Sequence, residues 1–273
     1  RAVTNTSELA RAYLETGRSQ IPIIDAHTHM GANYGTSLSI ATADEMIALM
    51  DRENVACAFT SPHSALFDPS AMNRELEDAM SRFPGRFYGY FTFNPNYADR
   101  FNARLGDILT IPGYLGIKLL PGYHRYDLDG PAYDDVLDFA LAHELPVLSH
   151  TWGELPYNAP KNAEGVLKKR PKLRLIMGHT SPGEAEAAIT LAKTYPNIYL
   201  DLCDIHRHNG IVDRLVNAVG ADRVLFGTDM PWYDPNYCLG SILFSRISDA
   251  DKEKIIYKNA KALLDSVPHR RKA

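Results

Sequence analysis

The sequence predicts an α/β chain folded as a (β/α)₈ TIM barrel, and three observations lead there. Eight short, apolar, β-rich runs alternate with longer amphipathic stretches, the pattern of repeated βα units and a parallel sheet. The chain has 273 residues, close to the roughly 250 that such a barrel fills as one unit. Finally, His27, His29, His150, His179 and Asp229 all stand at the C-terminal edge of an apolar run, the edge on which barrels of this kind build their sites.

Taken in order, the strand candidates are residues 21–26, 55–61, 87–94, 114–120, 146–150, 173–179, 198–202 and 224–228. The first contains Ile21-Pro22-Ile23-Ile24, apolar almost throughout, as a strand covered on both faces must be. Helices are predicted to begin near Ala43, Asn73, Tyr97, Ala132, Asn162, Gly183, Gly210 and Ser248. Start signals mark three of them: Asp44-Glu45 after Thr42, Pro182-Gly183-Glu184 after Ser181, and Asp251 with Glu253 after Ser248. A further helix, Glu8–Thr16, is expected in an N-terminal extension of residues 1–20. No Gly/Ser linker, charge block or sequence repeat divides the series, so residues 1–273 are read as one domain. A doubly wound open sheet would also alternate strands and helices, but it carries a glycine-rich phosphate turn after its first strand. Here that turn is Asp25-Ala26-His27-Thr28-His29-Met30-Gly31.

Composition narrows the partners. A net charge of -4 leaves no basic face of the size that a nucleic acid or an anionic membrane surface requires. No apolar run approaches the length of a membrane span, and residues 1–17 hold no signal-peptide core. Cys57, Cys203 and Cys238 are odd in number and far apart, which suggests neither a disulfide framework nor a cysteine metal site. They are read as reduced thiols in a cytoplasmic protein, although the chain starts without Met and a removed leader stays open. The expected partner is a small-molecule substrate, with homo-oligomer formation left open.

The five strand-end residues carry the chemistry. His27 and His29 are two positions apart, so strand alternation points both imidazoles to one face, where they can meet one ion. Asp25 is the natural partner behind one of them, or a brace of the strand end. Neutral imidazole and carboxylate suit zinc or a similar divalent ion, and such an ion lowers the pKa of water toward about 7. A histidine that does not ligate can then carry a proton. Lys118, at the end of Tyr114-Leu115-Gly116-Ile117-Lys118, is read as an ion-pairing or substrate-binding lysine, ahead of a carboxylated lysine bridging two metals.

In these residues the chain resembles the amidohydrolase superfamily, and within it the amidohydrolase-related branch that includes 2-amino-3-carboxymuconate-6-semialdehyde decarboxylase and γ-resorcylate decarboxylase. The resemblance runs through nearly the whole chain. It comprises Asp25-x-His27-x-His29, Phe83-Pro84-Gly85-Arg86-Phe87 leading into Asn94-Pro95, Gly116-Ile117-Lys118, Pro146-Val147-Leu148-Ser149-His150 and Gly178-His179. Leu225-Phe226-Gly227-Thr228-Asp229-Met230-Pro231-Trp232 and Asn259-Ala260-x-x-Leu263-Leu264 complete it. The resemblance implies that His27, His29, His150 and Asp229 hold one metal, with His179 and Asp229 acting in catalysis and His179 as the proton carrier. In binuclear members the lysine and the sixth-strand histidine bind a second ion.

One Zn²⁺ per chain is therefore expected, with Mn²⁺ or another divalent ion, or a binuclear site on carboxylated Lys118, as alternatives. The expected activity is that of a metal-dependent hydrolase, activated water attacking a small carboxylate-bearing amide, lactone or ester. A nonoxidative decarboxylase of an aromatic or muconate-like acid is the alternative, and a non-catalytic metal-binding barrel the second. Lys118, Arg125, Trp152, Arg207 and Trp232 are the substrate-binding candidates: the arginines to clamp a carboxylate, the tryptophans to wall an apolar pocket. Tyr123 and Asp204 lie in the loops after strands four and seven, and His63 after strand two and Asn33-Tyr34 after strand one are further candidates without an assigned role.

Overall fold

The computed structural model describes residues 7–153 and 155–268, so part of the expected extension, residues 1–6, lies outside the described residues. Eight strands form one sheet in chain order, every neighbouring pair parallel: β1 (Ile23–Met30), β2 (Val55–Pro62), β3 (Phe87–Phe93), β4 (Tyr114–Leu119), β5 (Val147–His150), β6 (Leu175–Gly178), β7 (Ile198–Asp201) and β8 (Val224–Leu225). Backbone bonds from β1 to the residues after β8 all but close the ring. Ala26 N–H donates to Phe226 O (2.8 Å), His29 N–H to Met230 O (2.7 Å) and Asp229 N–H to His27 O (2.8 Å). This is the (β/α)₈ barrel that the alternation predicts.

Regular pairing of β8 stops at Leu225, earlier than the predicted residue 228. The reason lies in the last helical segment, Asp249 to Asp265, where a π-turn at Lys254–Lys258 frees a carbonyl. Phe226 N–H turns to Ile255 O (3.2 Å), and Asn259 Nδ2 donates to Ala221 O (2.7 Å) and Val224 O (2.8 Å). The motif Asn259-Ala260-x-x-Leu263-Leu264 thus pins the approach to β8, while Ala260, Leu263 and Leu264 close one end of the barrel interior.

That interior is apolar below and polar above. Ile24, Phe59, Tyr90, Leu115, Leu148, Ile176 and Leu225 fill the lower part without exposure above 2%. A bulge in β1 decides what lies above. Ile24 pairs with Cys57 and Asp25 with Ala58, but Thr28 pairs with Thr60 and His29 with Ser61, so β1 carries one extra residue between Asp25 and Thr28. Odd positions thereafter take the inward parity that Ile24 holds before it, and His27 and His29 enter the barrel.

Of the three helix starts, Thr42 makes a reciprocal capping box with Glu45 and Ser248 caps through Asp251 N–H (3.1 Å). Ser181 does not cap: its backbone is left-handed (φ 51°) and the helix begins at Ala185. The predicted helix near Tyr97 is two short pieces, Ala98–Asn102 and Asp107–Thr110. Two helices lie outside the predicted set, the single turn Pro121–His124 and Pro235–Leu243, although for the second Asp234 capping Asn236 N–H with Pro235 in the first turn is an ordinary start signal. Among the described residues no helix is long and apolar enough to cross a membrane.

Candidate active site

The five strand-end residues meet at the C-terminal mouth of the barrel. Asp229 Oδ1 lies 3.2 Å from His29 Nε2 and 3.5 Å from His27 Nε2. His179 Nε2 lies 3.1 Å from His150 Nδ1, and the ring centroids of His27 and His179 are 5.0 Å apart. Backbone strain helps to aim two of these side chains: His179 and Asp229 are non-glycine residues at φ 66° and 62°. Two glycines make room behind His27. A Cβ on Gly227 would overlap Asp201 Oδ1 and stand 2.9 Å from His27 Cβ, and one on Gly178 would stand 3.2 Å from His27 Cε1.

Partners outside the cluster orient its rings. Asp201, at the end of β7, holds His27 Nδ1 at 2.6 Å and accepts His179 N–H at 3.2 Å. Ser61 Oγ meets His29 Nδ1 at 3.0 Å, and Trp152 stacks on His150 with centroids 5.7 Å apart and planes 7° from parallel. Asp25 proves to be the strand brace: it accepts Thr228 Oγ1–H (2.5 Å) and Thr228 N–H (3.1 Å), tying β1 to the turn before Asp229. Asp201 is not among the sequence candidates, because it falls inside the predicted run 198–202 rather than at its end; a lone carboxylate within an apolar run is the signal that marks it.

A divalent ion requires neutral imidazoles and an ionised carboxylate, and the electrostatics supply both. Burial holds the His27 and His150 imidazoles well below their usual range, lowers His29, and takes His179 to about 4. Burial pushes Asp229 the other way, but the imidazoles of His29, His27 and His179 beside it hold its carboxyl well below the usual range. Two donors on one ion at about 2.1 Å stand roughly 3.0–3.5 Å apart, which the spacings of Asp229 to both first-strand histidines match. Two buried polar atoms in the cluster, His179 Nδ1 and Asp229 Oδ1, have no hydrogen-bond partner; an ion would satisfy the carboxylate oxygen, and a proton or a substrate the imidazole nitrogen. The residues present fit a metal. A donor from each of His27, His179, Cys203 and Asp229 also falls within 4.8 Å of the other three, so the structure brings one cysteine to a cluster where none was expected.

Above the cluster opens a cavity of about 270 Å³. His29, His150, His179 and Asp229 form its polar floor; Tyr123, Trp152, Trp232 and Tyr233 wall it with Leu66 and Leu120, and Asn33, His63 and Asp204 complete the lining. Trp232 Nε1–H donates to His63 Nε2 (3.1 Å), whose Nδ1 meets Gly31 O (2.8 Å), so these two side chains fix one another.

Three substrate candidates stand elsewhere. Lys118 is fully buried on β4 between Thr92 and Leu148, with Nζ 2.6 Å from His27 Nε2 rather than at the cavity surface, and burial pushes it down to about 8. Arg125 is exposed at the end of the short helix Pro121–His124, outside the lining. Arg207 pairs with Asp204 (3.1 Å) and faces a separate groove of about 910 Å³ that contains none of the five strand-end residues. The loops after β4 and β7 direct both arginines outward, a choice that residue type does not record.

The fold and this cluster define a chain of the amidohydrolase type, and the comparison with known families agrees. The chain belongs to the amidohydrolase family, whose sequence profile matches residues 24–265. It is 29% identical over 119 residues to the γ-resorcylate decarboxylase of a Polaromonas species, a match that spans 36% of each chain and so about a third of that relative's length. The fold superimposes on 2,6-dihydroxybenzoate decarboxylase from Rhizobium with a TM-score of 0.72 at 16% identity, covering 90% of this chain and 99% of the other. It superimposes equally, at 0.72 and 14% identity over 90% and 96%, on 5-carboxyvanillate decarboxylase from Novosphingobium aromaticivorans, solved with manganese and 4-hydroxy-3-methoxy-5-nitrobenzoic acid. All three of these relatives are named as decarboxylases.

Proposed function

We propose that this chain is a divalent-metal-dependent, nonoxidative decarboxylase of a small aromatic or muconate-like acid. The cavity carries the reading: aromatic and aliphatic walls stand over neutral imidazoles and the ionised Asp229, with Asp204 also in the lining and, among the described residues, no arginine or lysine. A planar acid suits the walls, and its carboxylate, meeting no protein cation, calls for a metal ion. About 270 Å³ is below the roughly 300 Å³ at which drug-sized pockets begin, so a single-ring substrate is the match. The names of the relatives point the same way, and hydrolysis of an amide, lactone or ester has no comparable support.

In this reading His27, His29, His150 and Asp229 would hold one ion, zinc or manganese, which would supply Lewis-acid chemistry for the substrate carboxylate. Asp201 keeps the His27 proton on Nδ1 and leaves Nε2 as the ligating atom. His179 is neutral in the free protein; an anionic substrate nearby favours its imidazolium, so a proton arrives with the substrate. His179 carries that proton on Nδ1, the ring nitrogen with no protein partner, and gives it to the ring carbon that bears the carboxylate. The bond to the carboxyl carbon then breaks, carbon dioxide leaves, and the bonding pair restores the ring.

The test is a panel of hydroxylated benzoates and muconate-like acids, offered beside amides, lactones and esters to zinc- and manganese-loaded protein. Carbon dioxide release without hydrolysis is expected. Hydrolysis without carbon dioxide returns the hydrolase reading, and inertness of metal-loaded protein toward the whole panel favours a non-catalytic metal-binding barrel.

A further inference from the structure

Cys203 lies two residues beyond the His27 partner Asp201. The strand has ended there: Leu202 N–H still donates to Leu225 O (3.0 Å), but Cys203 lies in the following turn, where its carbonyl accepts Ile205 N–H (2.6 Å). Its own N–H bonds Asp201 Oδ1 (3.2 Å), and the residue is fully buried. The sulfur therefore has a fixed approach to the cluster, with donors of His27, His179, Cys203 and Asp229 mutually within 4.8 Å. A second observation is independent of the thiol. His179 is 2% exposed, yet its Nδ1 has no hydrogen-bond partner, nor has Asp229 Oδ1. Buried polar atoms are rarely left so unless something else binds them.

We propose that Cys203 Sγ is a ligand of the ion beside His27 and Asp229, and that it makes this a sulfur-containing site that favours zinc, cobalt or cadmium over manganese. The inference rests on the metal-dependent reading above and deepens it. Imidazole and carboxylate alone accept manganese readily, whereas a thiolate is a soft ligand that hard oxygen-seeking ions tolerate poorly. One inward cysteine at the end of β7 thereby sets metal choice without altering the histidine framework. Cys57 and Cys238 give the contrast: Cys57 belongs to the apolar lower part of the barrel, and Cys238 stands 3.6 Å from His206 Nε2, away from the five strand-end residues.

Cobalt(II) tests this without reference to turnover. The metal-free full chain is titrated with Co²⁺ and its near-ultraviolet absorbance recorded, for wild type, Cys203→Ser, Cys203→Ala, Cys57→Ser and Cys238→Ser. A sulfur-to-cobalt charge-transfer band is expected in wild type and in the Cys57 and Cys238 variants, and absent in both Cys203 variants. Competition dialysis should show the zinc-over-manganese preference falling about 10–100-fold in Cys203→Ser. If the Cys203 variants fail to fold, the wild-type spectrum alone decides. Cobalt bound with visible ligand-field bands but no sulfur band overturns the thiolate ligand and leaves the metal site standing; no cobalt bound at all overturns both.

Discussion

His27 Nδ1 and Asp201 Oδ2 stand 2.6 Å apart although 174 positions separate them in the chain. The same carboxylate accepts the backbone N–H groups of His179 and Cys203, each at 3.2 Å, so one buried group ties the ends of β1, β6 and β7 together. Removing it frees the His27 ring to rotate and to change tautomer. Asp201→Ala is expected to weaken metal binding by about 10–100-fold, with Asp201→Asn, which keeps an acceptor, losing less. Calorimetric titration with zinc measures both, and wild-type affinity in the alanine variant would refute the orienting role.

His179→Asn should separate holding the ion from moving the proton. The proposal expects metal content close to wild type and turnover lower by about 10²–10⁴-fold. Elemental analysis beside the decarboxylation assay reads both quantities. Loss of the ion instead would show that the unpartnered His179 Nδ1 ligates it.

Gly227 tests the packing behind the site. An added Cβ has no space between Asp201 and the His27 Cβ, and neither neighbour is a flexible side-chain end free to swing away. Gly227→Ala is expected to cost about 1–3 kcal/mol of stability and to lower metal affinity with it. Urea unfolding and zinc titration would show an unchanged protein if the close approach had no consequence.

Lys118 Nζ and a metal ion compete for one lone pair, since the ammonium donates to His27 Nε2. An ammonium beside a divalent cation repels it, so Lys118→Met should bind zinc more tightly than wild type, at one ion per chain. Weaker binding, or two ions bridged by extra density at the wild-type lysine tip, would instead establish the carboxylated, binuclear arrangement.

Burial pushes the Asp25 carboxyl up to about 8, against the ordinary value of about 4. An acid raised on folding favours the folded state while it is protonated in both states, and that advantage is lost as pH rises toward the folded value. Asp201, raised to about 6, adds to the loss only in the lower part of the range. Between pH of about 6 and 8, metal-free wild type should therefore lose about 1.4 kcal/mol per pH unit relative to Asp25→Asn. Urea midpoints across that window check the slope difference, and parallel curves would show Asp25 to be ionised throughout.

Period and placement made most of the fold legible. Every strand candidate corresponds to an observed strand, because alternating apolar runs and amphipathic stretches record burial directly in residue type. Local geometry was less legible. The short β8 depends on a carbonyl freed by a π-turn some thirty residues later, and the helix Pro235–Leu243 lies outside the predicted set despite its Asp-Pro start. For the site, a polar residue closing an apolar run located His27, His29, His150, His179 and Asp229. That rule does not select Asp201, which lies inside the predicted run 198–202 and ends its strand only in the folded barrel.

By itself, then, the sequence determined the barrel, the edge on which its polar residues gather and the kinds of donor they offer, since each of these is written in the identity and spacing of near neighbours. Only the tertiary structure decided how those donors are used. The bulge between Asp25 and Thr28 turns the two first-strand histidines inward, Asp201 orients His27 from across the barrel, and Cys203 joins the cluster from the end of β7. Lys118 sinks beneath the cavity while Arg125 and Arg207 turn away from it. Those outcomes depend on strand register, loop direction and contacts between residues far apart in the chain, where a fraction of an ångström in packing selects the partner and local sequence pattern carries no record of the choice.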